Sequence, residues 1–156
     1  MTLKDFANLS VVLTGYPLST ILPDFDTQHQ AQELLDFLQA PGRVSPGTLQ
    51  QLDAAWTAIE NNSDTSVSQQ VQDTLMGNPA LARLVQNIIM MWYLGAWYDL
   101  AQPLNTKSFV SEVISGKAYK NGLAWGTMGA HPMGYSEENF GYWNTVPVLL
   151  QPQPSN

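Results

Sequence analysis

Between Phe6 and Trp92 the apolar residues recur every three or four positions, and no segment before residue 100 alternates apolar and polar side chains as a half-buried strand must. Only a helix gathers positions i, i+3, i+4 and i+7 onto one stripe. A chain patterned this way has to bury its apolar side chains by packing helix against helix. Phe6, Leu9, Leu13 and Tyr16 mark a first helix that ends at Gly15, with Pro17 beyond it. Asp26 or Thr27 is placed to cap a second, whose stripe is Ala31, Leu34, Leu35 and Leu38 and whose stop is Pro41-Gly42. Ser45-Pro46 reads as cap plus first turn of a third, carrying Leu49, Leu52, Trp56 and Ile59 on one face. Val67, Val71 and Leu75 give a short fourth helix closing at Gly77, and Asn78-Pro79 opens a fifth through Leu81, Leu84, Val85, Ile88 and Trp92. One more helix is expected within residues 109–125, and the remainder reads as loop.

The expected fold is therefore all-α: a bundle of five or six helices with an irregular C-terminal segment. With 156 residues the chain is long enough for one real core and too short for two comfortable ones, so residues 1–150 form a single domain and 151–156 a tail.

Residues 119–143, YKNGLAWGTMGAHPMGYSEENFGYW, hold six aromatic residues and five glycines with almost no periodicity. Large flat side chains on a glycine-loosened backbone suit a surface moulded onto a partner, because aromatics give much contact area at low rotamer cost. Charge follows the same division. Residues 1–77 carry nine acids against Lys4 and Arg43, whereas residues 78–156 balance four acids with four bases, and 11 of the 16 aromatics lie from Trp92 onward. Charged residues are 12% of the chain, about half the usual 25% or so. One half looks solvated and the other coverable. Six dispersed Lys and Arg in a chain of net charge −7 provide no basic stripe for phosphates, which excludes nucleic acid and disfavours anionic membranes. The richest apolar run, residues 84–98, is interrupted by Gln86 and Asn87 and falls short of the ~20 residues that cross a bilayer.

Catalytic signatures are sparse. With no cysteine, the chain has no disulfide, thiolate ligand or thiol nucleophile. Gly122, Gly126 and Gly129 do not space as a dinucleotide loop and follow no expected strand, so no flavin or nicotinamide site is expected in this chain. His131 is followed by Glu137 and Glu138, which leaves an acid/base reading open beside the plainer one of a loop histidine and solvated glutamates. Asp24-Phe25-Asp26 lacks the rest of a calcium loop and reads as helix capping; His29 reads as exposed. No catalytic, cofactor or metal residue is assigned. Ile88, Ile89, Trp92 and Trp56 read as core, while Trp97 and Tyr98, just past Gly95, fit core and interface equally.

Three blocks, in order, resemble the small subunits of membrane-bound, FAD-dependent sorbitol, fructose and glucose dehydrogenases: Phe6 to Gly15 (FANLSVVLTG), Trp92-Tyr93-Leu94-Gly95, and Tyr119 through Gly122-Leu123-Ala124-Trp125 and Ala130-His131-Pro132-Met133-Gly134 to Gly141-Tyr142-Trp143. The resemblance implies a non-catalytic bacterial subunit that binds, stabilises and helps export a large FAD-carrying subunit, with a cytochrome subunit in the same complex. FAD would then sit in the partner. Trp97, Tyr98, Trp125, His131, Tyr142 and Trp143 are the expected partner-binding residues. Family members often carry a cysteine in the C-terminal loop; Ala130 to Tyr135 has none. The family's compartment is the periplasm, reached by a twin-arginine signal. This chain opens Met1-Thr2-Leu3-Lys4 directly on its first helix, which leaves the cytoplasm open as well. The alternatives are an interaction module with another partner, or a small enzyme using His131 with Glu137 or Glu138.

Overall fold

The computed structural model describes residues 1–98, 100 and 111–135. Helix α1, Leu3–Thr14, begins at Thr2, whose side chain accepts from Asp5 N while the Asp5 carboxylate accepts from the Thr2 backbone, a reciprocal capping box. The hydroxyl of Thr2, donating to Asp5 Oδ2 at 2.7 Å, and then the Thr2 backbone N–H at 3.0 Å hold the Asp5 carboxyl below its ordinary value. Gly15 ends α1 in the left-handed region at φ 75°. A single turn, α2 (Leu18–Ile21), follows Pro17, and α3 spans Gln30–Gln39. Helix α4 (Pro46–Glu60) and helix α6 (Pro79–Leu94) start as their Ser-Pro and Asn-Pro pairs dictate: Ser45 accepts from Thr48 N and Asn78 from Ala80 N. Between them α5, Val67–Gln70, runs on as a π-helical turn, Val71–Met76, that closes with Gly77 N donating to Gln72 O.

The fold is all-α, as its periodicity requires, with α6 at its centre packed against α1, α4, the π turn and the short C-terminal helices. Its core is the set of stripes read from the sequence: Phe6 and Leu9 of α1, Leu34 and Leu38 of α3, Leu52, Trp56 and Ile59 of α4, Val71 and Leu75, and Leu84, Ile88 and Trp92 of α6. Ile89 is only partly buried against that core.

Three local expectations are corrected. The helix expected to be capped by Asp26 or Thr27 is α3, and its N-cap is His29; the Asp26 carboxylate instead accepts from Gln28 N and His29 N ahead of the helix. A strand does occur before residue 100: β1, Ala96–Tyr98, pairs antiparallel with β2, Ser111–Val113. Three-residue strands are too short to show alternation, so periodicity has nothing to detect. Lastly, over the described residues 111–125 the one expected helix is replaced by a strand and two short helices. After β2 come α7, Gly116–Lys120, and α8, Leu123–Thr127, broken at Asn121-Gly122.

Candidate docking surface

The end of α6 organises everything that follows it. Trp92 stacks on Phe6 of α1 with centroids 6.2 Å apart, and its indole N–H donates to Ser10 Oγ at 2.9 Å, which itself donates to Phe6 O. Next along, Tyr93 donates its hydroxyl to Thr14 O at 2.9 Å and meets Tyr16 edge-on. Gly95 then caps α6 at φ 61°. Its bare Cα admits the backbone of α7: a Cβ there would lie 2.4 Å from the Ala118 carbonyl carbon and 2.5 Å from Tyr119 N. Gly122 does the same one turn later, its missing Cβ leaving room for Tyr93 O, which it would meet at 2.7 Å. Both close approaches are backbone on backbone, so only glycine fits without a shift.

From this seat the C-terminal helices are fixed by named contacts. Ser115 caps α7 by accepting from Ala118 N, and Ala118 is fully buried. Trp125 of α8 donates its indole N–H to Tyr119 O at 2.7 Å, with the two rings edge to face. Tyr16 Oη and Thr127 Oγ1, 2.7 Å apart, tie α8 back to the end of α1. The chain then turns through Gly129 and Gly134, both at positive φ, and closes with Tyr135 N donating to Pro132 O. The Tyr135 ring lies 6.2 Å from Tyr119 and under the Lys120 ammonium at 4.9 Å. Beyond these attachments the turn faces solvent, with Met133 77% exposed and Met128 and Tyr135 exposed near it in sequence.

The expected partner-binding residues therefore divide. Trp97 is a core residue, 5% exposed, with its ring edge-on to Phe37 at 5.7 Å. Of the two readings open at that position, the structure selects packing. Tyr98 is half-buried and held through its backbone by Asn87, whose side-chain oxygen accepts from Tyr98 N at 3.0 Å and whose amide donates to Tyr98 O at 2.8 Å. Trp125 is half-buried, committed through its N–H to Tyr119. His131 is half-buried in the glycine turn, with Nδ1 3.1 Å from Pro132 O. Tyr142 and Trp143, together with Glu137 and Glu138, lie outside the described residues.

Sequence reasoning passed over three residues. Asn87, noted only as an interruption of an apolar run, is buried because its amide bonds both the N–H and the C=O of Tyr98; a lone amide within an apolar helix is itself the signal of a buried bond. Met128 and Met133 escaped because aromatic residues drew the attention in that segment, although methionine suits adaptable contact surfaces as well.

Met128, Met133 and Tyr135 give this region an exposed apolar contact surface. Among the described residues no three His, Cys, Asp or Glu side chains gather as a metal would need, and no helix is long and apolar enough to cross a membrane. A concavity of about 360 Å³ lies elsewhere, between α1, α2, α4 and α5, lined by Val11, Val12, Leu18, Trp56 and Val67 with Asn8 and Glu60; His131 is not part of it. Comparison of the chain with protein-family models, with curated proteins and with solved structures returns no match.

Proposed function

We propose that this chain is the non-catalytic small subunit of an FAD-dependent sugar or polyol dehydrogenase and that it docks on the flavin-carrying subunit through its C-terminal, aromatic and glycine-rich end. One observation carries the reading. The described parts of the three sequence blocks that resemble that family, Phe6 to Gly15, Trp92 to Gly95 and Tyr119 to Gly134, are separated by tens of residues yet pack into one unit around the end of α6, whose outer edge carries the exposed Met128, Met133 and Tyr135. The aromatics of these blocks hold the Met128 to Tyr135 turn in place, and the turn itself is what a partner meets.

On this reading the chain acts by linkage. A subunit that binds only the folded large subunit stabilises it by RT ln(1 + [L]/Kd), about 2.7 kcal/mol when its free concentration is a hundred times Kd. FAD stays with the partner, electrons leave through a cytochrome subunit, and the assembled complex works in the periplasm. Trp125 and His131 support the turn from within, while Tyr142 and Trp143 are carried as further contacts.

The test is co-expression with the cognate large subunit. Met133→Asp and Met128→Asp should each weaken co-purification at least tenfold while leaving the isolated chain's Tm within a few degrees, since both side chains are exposed. Trp125→Ala should lower Tm as well as binding, because the indole's hydrogen bond to Tyr119 O and its edge-to-face contact with the Tyr119 ring are both lost. A chain that purifies yellow on its own, or that binds the large subunit unchanged in both Asp variants, contradicts the reading.

A further inference from the structure

Helix spacing builds the walls of the concavity between α1, α2, α4 and α5. Asn8, Val11 and Val12 stand at i, i+3 and i+4 on α1, and Trp56 and Glu60 at i and i+4 on α4, so each helix contributes one face. Leu18 and Val67, the first residues of α2 and α5, complete the lining and are 43% and 38% exposed. Asn8 Nδ2 donates to Glu60 Oε1 at 3.2 Å and so bridges α1 and α4. Trp56 is only 2% exposed, and its indole Nε1 is buried with no acceptor among the described residues. Trp92 and Trp125, by contrast, donate to Ser10 Oγ and Tyr119 O. An indole N–H can only donate, and a buried donor without an acceptor is costly enough that native structures seldom keep one.

An unsatisfied donor on a residue that lines an apolar concavity specifies the chemistry of an occupant. Valine, leucine and indole walls favour an apolar body, the indole N–H requires an oxygen acceptor, and the exposed Glu60 carboxylate repels an anion. A volume of about 360 Å³ lies at the small end of the roughly 300–1,000 Å³ that small-molecule sites occupy. We infer that this concavity binds a compact, uncharged apolar molecule whose carbonyl oxygen accepts from the Trp56 indole N–H. Because that N–H is covered, binding includes a rotamer change in the wall, which exposed side chains such as Leu18 and Val67 make on the order of nanoseconds. None of the lining residues belongs to the C-terminal turn, so the site goes beyond the docking reading and stands or falls without it.

The experiment titrates the isotope-labelled full chain with indanone and with indane, the same ring frame without the carbonyl, and follows the indole N–H signals by nuclear magnetic resonance. Trp56→Phe identifies the Trp56 signal by its loss. Expected are a saturable downfield shift of that signal with indanone and an affinity about fivefold or more above that of indane. A Trp56→Phe chain that folds should bind the two probes alike. Leu18→Asp, at an exposed position, should keep Tm within a few degrees and weaken indanone about fivefold or more. A Trp56 signal that does not move with indanone, equal affinity for the two probes in wild type, or full indanone affinity in Leu18→Asp overturns the site. The docking reading is untouched by any of these results, because the chain is measured alone.

Discussion

Gly95→Ala is the substitution that most directly probes how the C-terminal unit is seated. Two costs add. At φ 61° an alanine enters the left-handed region, which costs about 1–2 kcal/mol. The new Cβ would also lie 2.4 to 2.5 Å from three backbone atoms of Ala118 and Tyr119, so α7 must retreat by about 1 Å to restore ordinary contact. Helix α7 has little freedom to do so, since Ala118 is fully buried and Lys117 is tied to both Gln28 and Glu33. Forced displacement of packed groups typically costs a further 1–3 kcal/mol or so. The expected loss is about 2–5 kcal/mol, a large share of the roughly 5–15 kcal/mol that holds a domain together. Gly15→Ala supplies the control: it too sits at positive φ, but its Cβ would meet nothing within 4 Å, so only the conformational cost applies. Urea unfolding of the two variants, followed by far-ultraviolet circular dichroism, should separate them by about 1–3 kcal/mol. Equal losses would refute the claim that α7 is seated on the bare face of Gly95.

Asn87→Leu should cost about 1–3 kcal/mol in the same assay despite its similar volume, because the Tyr98 backbone N–H and C=O lose their partner together. Trp92→Phe keeps a ring to stack on Phe6 but removes the donor to Ser10, for about 1–2 kcal/mol. Asp5 carries a pH signature: its carboxyl value is lowered in the folded state, so its contribution is full above the unfolded value of about 3.9 and disappears as pH falls through the lowered one. Tm measured against pH should therefore show Asp5→Asn less stable than wild type above pH ~4, with the two curves converging below it.

The long helices were legible because their information is local. Ser45-Pro46 and Asn78-Pro79 each place a side-chain acceptor, a preset φ and a missing donor where a helix must start, and α4 and α6 start there. Gly15 and Gly95 mark the ends of α1 and α6 for an equally local reason. What escaped depends on partners far along the chain. The two strands exist because residues 96–98 and 111–113 meet across a connection, and Asn87 stabilises the first from a helix 11 residues away. Helices α7 and α8 are short pieces set by docking on Gly95 and Tyr93 rather than by any stripe of their own. The π turn after α5 likewise has no periodic signature, although Gly77 marks its end.

For the candidate site, composition located the segment and geometry sorted its members. Trp97 and Trp125 carry the aromatic character that marks an interface, yet one is buried against Phe37 and the other is bonded to Tyr119. Exposure falls instead on Met128, Met133, Tyr135 and Phe25, and no sequence pattern distinguishes an aromatic that packs inward from one that faces out. Phe25, flanked by two aspartates, was legible only as part of a helix-capping segment.

The central claim is that this chain works by binding a flavoprotein and not by chemistry of its own. The most direct measurement is size-exclusion chromatography of the chain co-expressed with its cognate large subunit, monitored at 280 nm and in the flavin band near 450 nm, with the isolated chain run alongside. The account requires that flavin absorbance travel with both chains in one peak and that the isolated chain elute without it. Flavin retained by the isolated chain, or a large subunit that elutes apart from it with full flavin and full activity, would contradict the account.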